Sequence, residues 1–186
     1  REMSMTRKQH IQKILEILDE NYPKDIVCFL DHETPWQLLI ATILSGQCTD
    51  ARVNMVTKVC LKRYTSVEEL ANADIKELEK YIRSTGFYRN KAENIIKCCK
   101  KLVESYNSQV PHEIEDLIQL AGVGRKTANV IRGNIFNIPS IVVDTHVKRI
   151  TIRWGFTLKT DPTAIEFDLM EIIPKDHWIR YNTQVI

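Results

Sequence analysis

Glycine is scarce in this chain: 6 of 186 residues are glycine, 6 are proline and 5 are cysteine. Sharp backbone turns therefore have few places to form, and where the glycines fall carries information. The cysteines, Cys28, Cys48, Cys60, Cys98 and Cys99, are odd in number and follow no framework spacing. That pattern argues against a disulfide scaffold and for free thiols. Cys98-Cys99 lies in a helical pattern, so at least one of the pair reads as core filling. No run approaches the ~18 apolar residues of a membrane span, and no apolar signal core opens the chain. A cytoplasmic protein with no membrane partner is the expectation. Charge of one sign is missing too, since 26 basic and 24 acidic residues leave a net +2. Any nucleic-acid-binding face must then come from local clustering and not from a global excess. No segment alternates in β fashion over a convincing length, Ile141-Val142-Val143 being too short. Repeats and low-complexity tracts are absent as well.

What is present is helical. Apolar residues at 44% and charged residues at 27% suit a globular chain with a real core, in one large or two small domains. Ile11, Ile14, Leu15 and Leu18 have the spacing of an amphipathic helix over 7–20, ended by Tyr22-Pro23. Thr34-Pro35-Trp36-Gln37 predicts a capping box opening a helix through Leu44, stopped by Gly46, with Asp50 or Thr49 capping the next. Ser66-x-x-Glu69 and Asp74-x-x-Glu77 start two short helices, and Asn90 starts a longer one. Its buried stripe is Ala92, Ile95, Ile96, Cys99, Leu102, Val103 and Tyr106. Asp144, Asp161-Pro162 and Pro174 open the last three helices, so the fold class is all-α.

Two of the six glycines stand two residues apart in Leu120-Ala121-Gly122-Val123-Gly124-Arg125-Lys126-Thr127-Ala128, with apolar helical runs on either side. A Gly-x-Gly turn opening a helix leaves N–H groups pointing outward, with the positive end of the helix dipole behind them. That is an anion site built of backbone, and phosphate is its usual ligand. By itself the turn reads first as a tight link between two packed helices. Arg125 and Lys126 add cations beside it, and Asp144 follows in Val142-Val143-Asp144-Thr145-His146-Val147.

With Gln47-Cys48-Thr49-Asp50 and Gly86-Phe87-Tyr88-Arg89-Asn90-Lys91-Ala92-Glu93-Asn94 in the same order, the chain resembles the helix-hairpin-helix (HhH-GPD) DNA glycosylases, in particular their endonuclease III-like branch. The resemblance runs from about residue 10 to about 180. It implies a two-lobed fold, with a six-helix barrel over 28–138 that contains the hairpin. Residues 1–27 and 139–186 would form the second helical lobe, and DNA would lie in the groove between the two.

The resemblance also implies the chemistry. Lys126 would attack the anomeric carbon of the deoxyribose, displace the damaged base and form a Schiff base. Arg125 and the helix N-terminus both disfavour the ammonium form of a neighbouring lysine, as a nucleophile requires. Asp144 is a natural N-cap, and the family role adds activation of Lys126 and compensation of charge on the sugar. Loss of the 3′ phosphate by β-elimination would follow. Gln47 would fill the hole left by the extruded nucleotide, and Phe87 would wedge the opposite strand. Gly122, Val123, Gly124, Arg125, Lys91, Lys148, Thr145 and His146 are the further candidates for DNA contact, His146 reading first as a satisfied groove histidine and only second as a phosphate or sugar contact.

The partner is then duplex DNA carrying a damaged base or an abasic site, met by a monomer in a bacterial or archaeal nucleoid. Oxidised pyrimidines are the expected substrates. The same fold acting on oxidised purines, or a hairpin that only grips DNA, are the alternatives. The family's four-cysteine iron–sulfur loop has no counterpart after Cys99. Trp178 to Ile186 reads as an unfinished helix without a stop signal, so a 4Fe-4S cluster is expected only if a further tail exists. No other cofactor is expected, save a monovalent cation at the carbonyls of Ile118, Leu120 and Val123, as in family hairpins. Ala121 stands where the family commonly has proline, which removes a φ lock from the turn.

Overall fold

A computed structural model of the chain describes residues 6–22 and 29–185. The free thiol expected at Cys28, the stop at Pro23, the lobe limit at 27/28 and the end of the final helix at Ile186 lie outside the described residues. Among the described residues the structure is helical, with no strand. In chain order the helices are α1 (Arg7–Asn21), α2 (Pro35–Leu44), α3 (Asp50–Arg63), α4 (Val67–Ala71), α5 (Ile75–Ile82), α6 (Tyr88–Ser105), α7 (Ile114–Leu117), α8 (Arg125–Ile135), α9 (Thr145–Arg153), α10 (Pro162–Ile172) and α11 (Trp178–Val185). Single 3-10 turns at Arg83–Thr85 and Lys175–His177 precede α6 and α11.

Small polar side chains start most of these helices, as their spacing predicts. Thr6 forms a complete capping box with Gln9. Thr49, Ser66, Asp74, Asp144 and Asp161 each accept an N–H from the first turn that follows. Thr34 does not. Its hydroxyl is buried without a hydrogen bond, and Gln37 Oε1 reaches one residue further back, to the N–H of Glu33 at 2.7 Å. Glu69 does the same with Thr65. The longest helix also departs from expectation. α6 begins at Tyr88, two residues before Asn90, and Phe87 occupies its N-cap in the left-handed region with no side-chain cap. Val103, expected in its buried stripe, is exposed because Cys98 and Lys91 take the inner face instead.

The chain divides into two compact units, Cys28–Ile131 and Arg1–Val27 with Arg132–Ile186. The division falls inside α8, ahead of the limit at 138 that the resemblance implies. In the unit Cys28–Ile131, α6 is the centre, with α2, α4 and α5 packed on it. Leu38, Leu39, Leu70, Leu78, Ile82, Ile95, Cys98 and Leu102 are fully buried there. Cys60 and Cys98 are core side chains, and burial pushes their thiols up to about 12. In the other unit, Ile11, Leu15 and Leu18 of α1 join Val147, Ile165, Leu169 and Tyr181 in one core. Arg180 of α11 holds Asp19 of α1 through Nε at 2.9 Å and Nη2 at 3.1 Å. That pairing holds the Asp19 carboxyl down at about 2.

Candidate functional site

The turn between α7 and α8 is built by its two glycines in different ways. Gly122 sits at φ +80°, and a Cβ there would stand 3.1 Å from Asn94 Cβ and 3.3 Å from Ile43 Cγ2. Only glycine satisfies both the left-handed backbone and the seat against α2 and α6. Gly124 has neither constraint, since its φ is not positive and a Cβ would meet nothing within 4 Å. The fold itself places no demand for glycine at 124. Val123 between them is 5% exposed, so its side chain anchors the turn.

α8 then opens, with the Ala128 N–H donating to the Gly124 carbonyl at 2.9 Å. The N–H groups of Gly124, Lys126 and Thr127 make no hydrogen bond among the described residues, as the first turn of a helix requires. Lys126, the second residue of α8, is exposed and has no ion-pair partner among the described residues. Arg125 beside it is half-buried. The Leu120 carbonyl, expected to help hold a monovalent cation, accepts the Val123 N–H at 3.1 Å. Together these features offer outward amides, the positive end of a helix dipole and an exposed amine on one open turn.

In the unit Arg1–Val27 with Arg132–Ile186, Asp144 is half-buried and caps α9 through Oδ1, which accepts the Val147 N–H at 2.7 Å. Thr145, at the first position of α9, is exposed. His146 has protein partners at both ring nitrogens. Its Nε2 lies 2.9 Å from the Val185 carbonyl and its Nδ1 3.0 Å from the Arg149 guanidinium. A carbonyl only accepts and a guanidinium only donates, so Nε2 donates, Nδ1 accepts and both ring nitrogens are in use. His146 fastens α9 to α11 and has no N–H left for phosphate. Lys148 is half-buried in the same helix.

Gln47 and Phe87 are exposed, and both are held at positive φ, 52° and 45°. Phe87 leaves 63% of its surface open, with Tyr88 behind it flanked by the Arg83 and Arg89 guanidinium groups, each 5.6 Å from the ring centre. Lys91 departs from its expected role as a phosphate contact. It is 6% exposed, and its ammonium donates to the carbonyls of Leu44 at 2.8 Å and Thr85 at 2.9 Å. It cannot also serve as a solvent-facing phosphate contact. The sequence did carry that signal, because Lys91 falls in register with Ile95, Cys98 and Leu102 on the inner face of α6. No comparable signal marks Gln47 as left-handed. Among the described residues no three of His, Cys, Asp or Glu converge to hold a metal. No helix among the described residues is long and apolar enough to cross a membrane.

Comparison with known proteins adds relatives to this geometry. Residues 40–175 match the profile of the HhH-GPD superfamily base excision DNA repair proteins. The chain is 49% identical over 182 residues to an endonuclease III of a Synechocystis species, covering 97% of this chain and 83% of that one. An endonuclease III of Bacillus subtilis is 41% identical over 175 residues, covering 94% and 80%. Among solved structures, a trapped endonuclease III–DNA covalent intermediate superposes with a TM-score of 0.90 at 44% identity, over 98% of this chain and 85% of that one. A thermostable thymine-DNA glycosylase superposes with a TM-score of 0.78 at 20% identity, over 96% and 83%, a likeness of fold alone.

Proposed function

The chain belongs to the HhH-GPD superfamily of base excision DNA repair proteins, and from that premise we propose that Lys126, presented on the α7–α8 hairpin, excises oxidised pyrimidines from duplex DNA. The protein is a DNA glycosylase and AP lyase. The observation that carries the residue assignment is the open turn itself, where an exposed lysine stands beside outward amides and a glycine the fold does not need.

The hairpin amides from Gly124 to Thr127 take a phosphate of the damaged strand, with Arg125 adding charge. Lys126 Nζ attacks C1′ of the extruded nucleotide. The N–C1′ glycosidic bond breaks, and the base leaves with its electron pair and takes up a proton. Asp144, by its match to the family's Val-Asp-Thr-His, assists deprotonation of Lys126 and offsets positive charge on the sugar. The C1′–O4′ bond then breaks, O4′ takes up a proton and the open sugar is an iminium to Lys126; this acidifies C2′, a proton is lost there, and the C3′–O bond breaks to release the 3′ phosphate. Water then frees the lysine. Gln47 fills the gap in the stack, and Phe87 wedges the opposite strand. The partner is duplex DNA with a damaged base or abasic site, met by a monomer at a bacterial nucleoid. The carbonyls of Ile118, Leu120 and Val123 are the candidates for a monovalent cation that would stiffen the hairpin.

Borohydride trapping tests the assignment, with one duplex carrying thymine glycol and another an abasic site. Both should yield a covalent adduct. Lys126→Gln should lower adduct formation by about a thousandfold or more while duplex affinity stays within about threefold. An adduct that persists in Lys126→Gln would assign the nucleophile elsewhere. Trapping confined to the abasic duplex would leave the lyase and remove the pyrimidine substrate.

A further inference from the structure

Lys91 carries its charge in an unusual place. Its side chain is buried between two loops, and burial pushes its ammonium below the ordinary lysine value. One of its acceptors, the Leu44 carbonyl, belongs to the last turn of α2 and has no partner within that helix. The other, the Thr85 carbonyl, closes the 3-10 turn ahead of α6. The Lys91 N–H also donates to the Phe87 carbonyl at 3.0 Å. Gly46 lies alongside the stem, where a Cβ would come 4.0 Å from Lys91 Cε.

The two carbonyls therefore sit just ahead of Gln47 and Phe87, and those two residues share a second property. Both hold positive φ without being glycine. Such conformations persist only where the surroundings over-determine them. Water could satisfy the end of either loop alone. A buried ammonium is costly to desolvate, and its use here bridges one loop to the other.

We propose that Lys91 is a positioning residue that couples the Gln47 loop and the Phe87 loop into a single preformed unit for extruding the damaged nucleotide. The proposal rests on the reading that Gln47 and Phe87 enter the duplex. The gap-filling side chain and the wedge must reach one base pair together, and a rigid brace between their anchors removes the need to order each loop separately during insertion. The extrusion step is then sensitive to Lys91, while the chemistry at Lys126 is not.

The test uses Lys91→Met, which keeps the length of the side chain and removes the ammonium. Extrusion is read from 2-aminopurine fluorescence beside the lesion, excision from single-turnover kinetics on duplex, and chemistry from borohydride trapping on a single-stranded abasic oligonucleotide, where no stack has to be opened. Lys91→Met should slow extrusion and duplex excision by roughly ten- to a hundredfold. Trapping on the single strand and affinity for undamaged duplex should stay within about twofold. Lys91→Arg, which keeps a charged donor, should recover part of the loss. Gln47→Ala and Phe87→Ala should couple non-additively in the native background and become additive in Lys91→Met.

Equal losses on duplex and single strand would make Lys91 a general stability residue and overturn the proposal, as would unchanged extrusion. If Gln47→Ala and Phe87→Ala extrude normally, the reading of the loops fails on its own account and takes the coupling with it. Should Lys91→Met not fold, Lys91→Gln, whose shorter amide can serve one carbonyl, carries the same measurements.

Discussion

The turn between α7 and α8 puts glycine at its left-handed position, Gly122 at φ +80°. The loops ahead of α3 and α6 put a glutamine and a phenylalanine there instead, at 52° and 45°. Both arrangements face outward, but they present different groups. The turn presents backbone amides, and for that purpose a side chain is an obstruction. The loops present side chains, and a left-handed glutamine or phenylalanine costs about 1–2 kcal/mol relative to ordinary backbone. A cost of that size is retained where the side chain has a use that glycine would forfeit. On the function proposed above, the comparison separates two ways of meeting DNA: phosphate held by main chain at the hairpin, and a base pair opened by side chains at the loops.

Substituting the two hairpin glycines sharpens this most. Gly122→Ala places a methyl 3.1 Å from Asn94 Cβ on a backbone that disfavours it. It should cost about 2–3 kcal/mol and lower the melting temperature by roughly 5–10 °C. Gly124→Ala meets no atom within 4 Å and should melt within about 1 °C of the parent. Its methyl would stand where a phosphate approaches, so duplex affinity should fall about tenfold. Calorimetry and fluorescence anisotropy on both variants decide the matter. Two glycines that behave alike would erase the distinction between a packing glycine and a ligand glycine.

The loops should answer in the opposite sense. Gln47→Gly and Phe87→Gly each relieve a left-handed side chain, and Phe87, 63% exposed, gives up little buried surface. Each should raise stability by about 0.5–1 kcal/mol while slowing extrusion of the damaged base. Chemical denaturation and 2-aminopurine fluorescence on the same preparations read both effects. A loss of stability on substitution would mean that these side chains are held for packing and not for the duplex.

Helix starts and the hairpin were legible in the sequence because both depend on local rules. Thr49, Ser66, Asp74, Asp144 and Asp161 cap their own first turns, and Gly-x-Gly before a cation pair is a local pattern too. Side-chain partners distant in sequence were less legible. Lys91 reaches the Leu44 carbonyl, 47 residues away, and His146 reaches Val185, 39 residues away. Nothing in a lysine or a histidine announces that its polar end is already taken. The inner-face register of Lys91 on α6 did hint at burial, but the side-chain type argued more strongly for solvent. Gln47 and Phe87 are left-handed because of the loops around them, which propensity does not record.

Ala121 offers the smallest and most specific test of the hairpin. Its φ is not positive, and its N–H makes no hydrogen bond among the described residues. Ala121→Pro therefore removes no bond and chiefly reduces the freedom of the unfolded chain. Stability should rise by about 0.4–1 kcal/mol, or roughly 1–3 °C in melting temperature. Duplex affinity should hold, since the amides assigned to phosphate begin at Gly124. A rise in stability with unchanged affinity would place the phosphate-binding amides downstream of Gly122, in the glycine-built part of the turn. A fall in stability would show that Leu120 or Ala121 holds a backbone geometry proline cannot take. The alanine would then be a requirement of this particular hairpin, and the seat of Gly122 against Asn94 and Ile43 would be where to look for its cause.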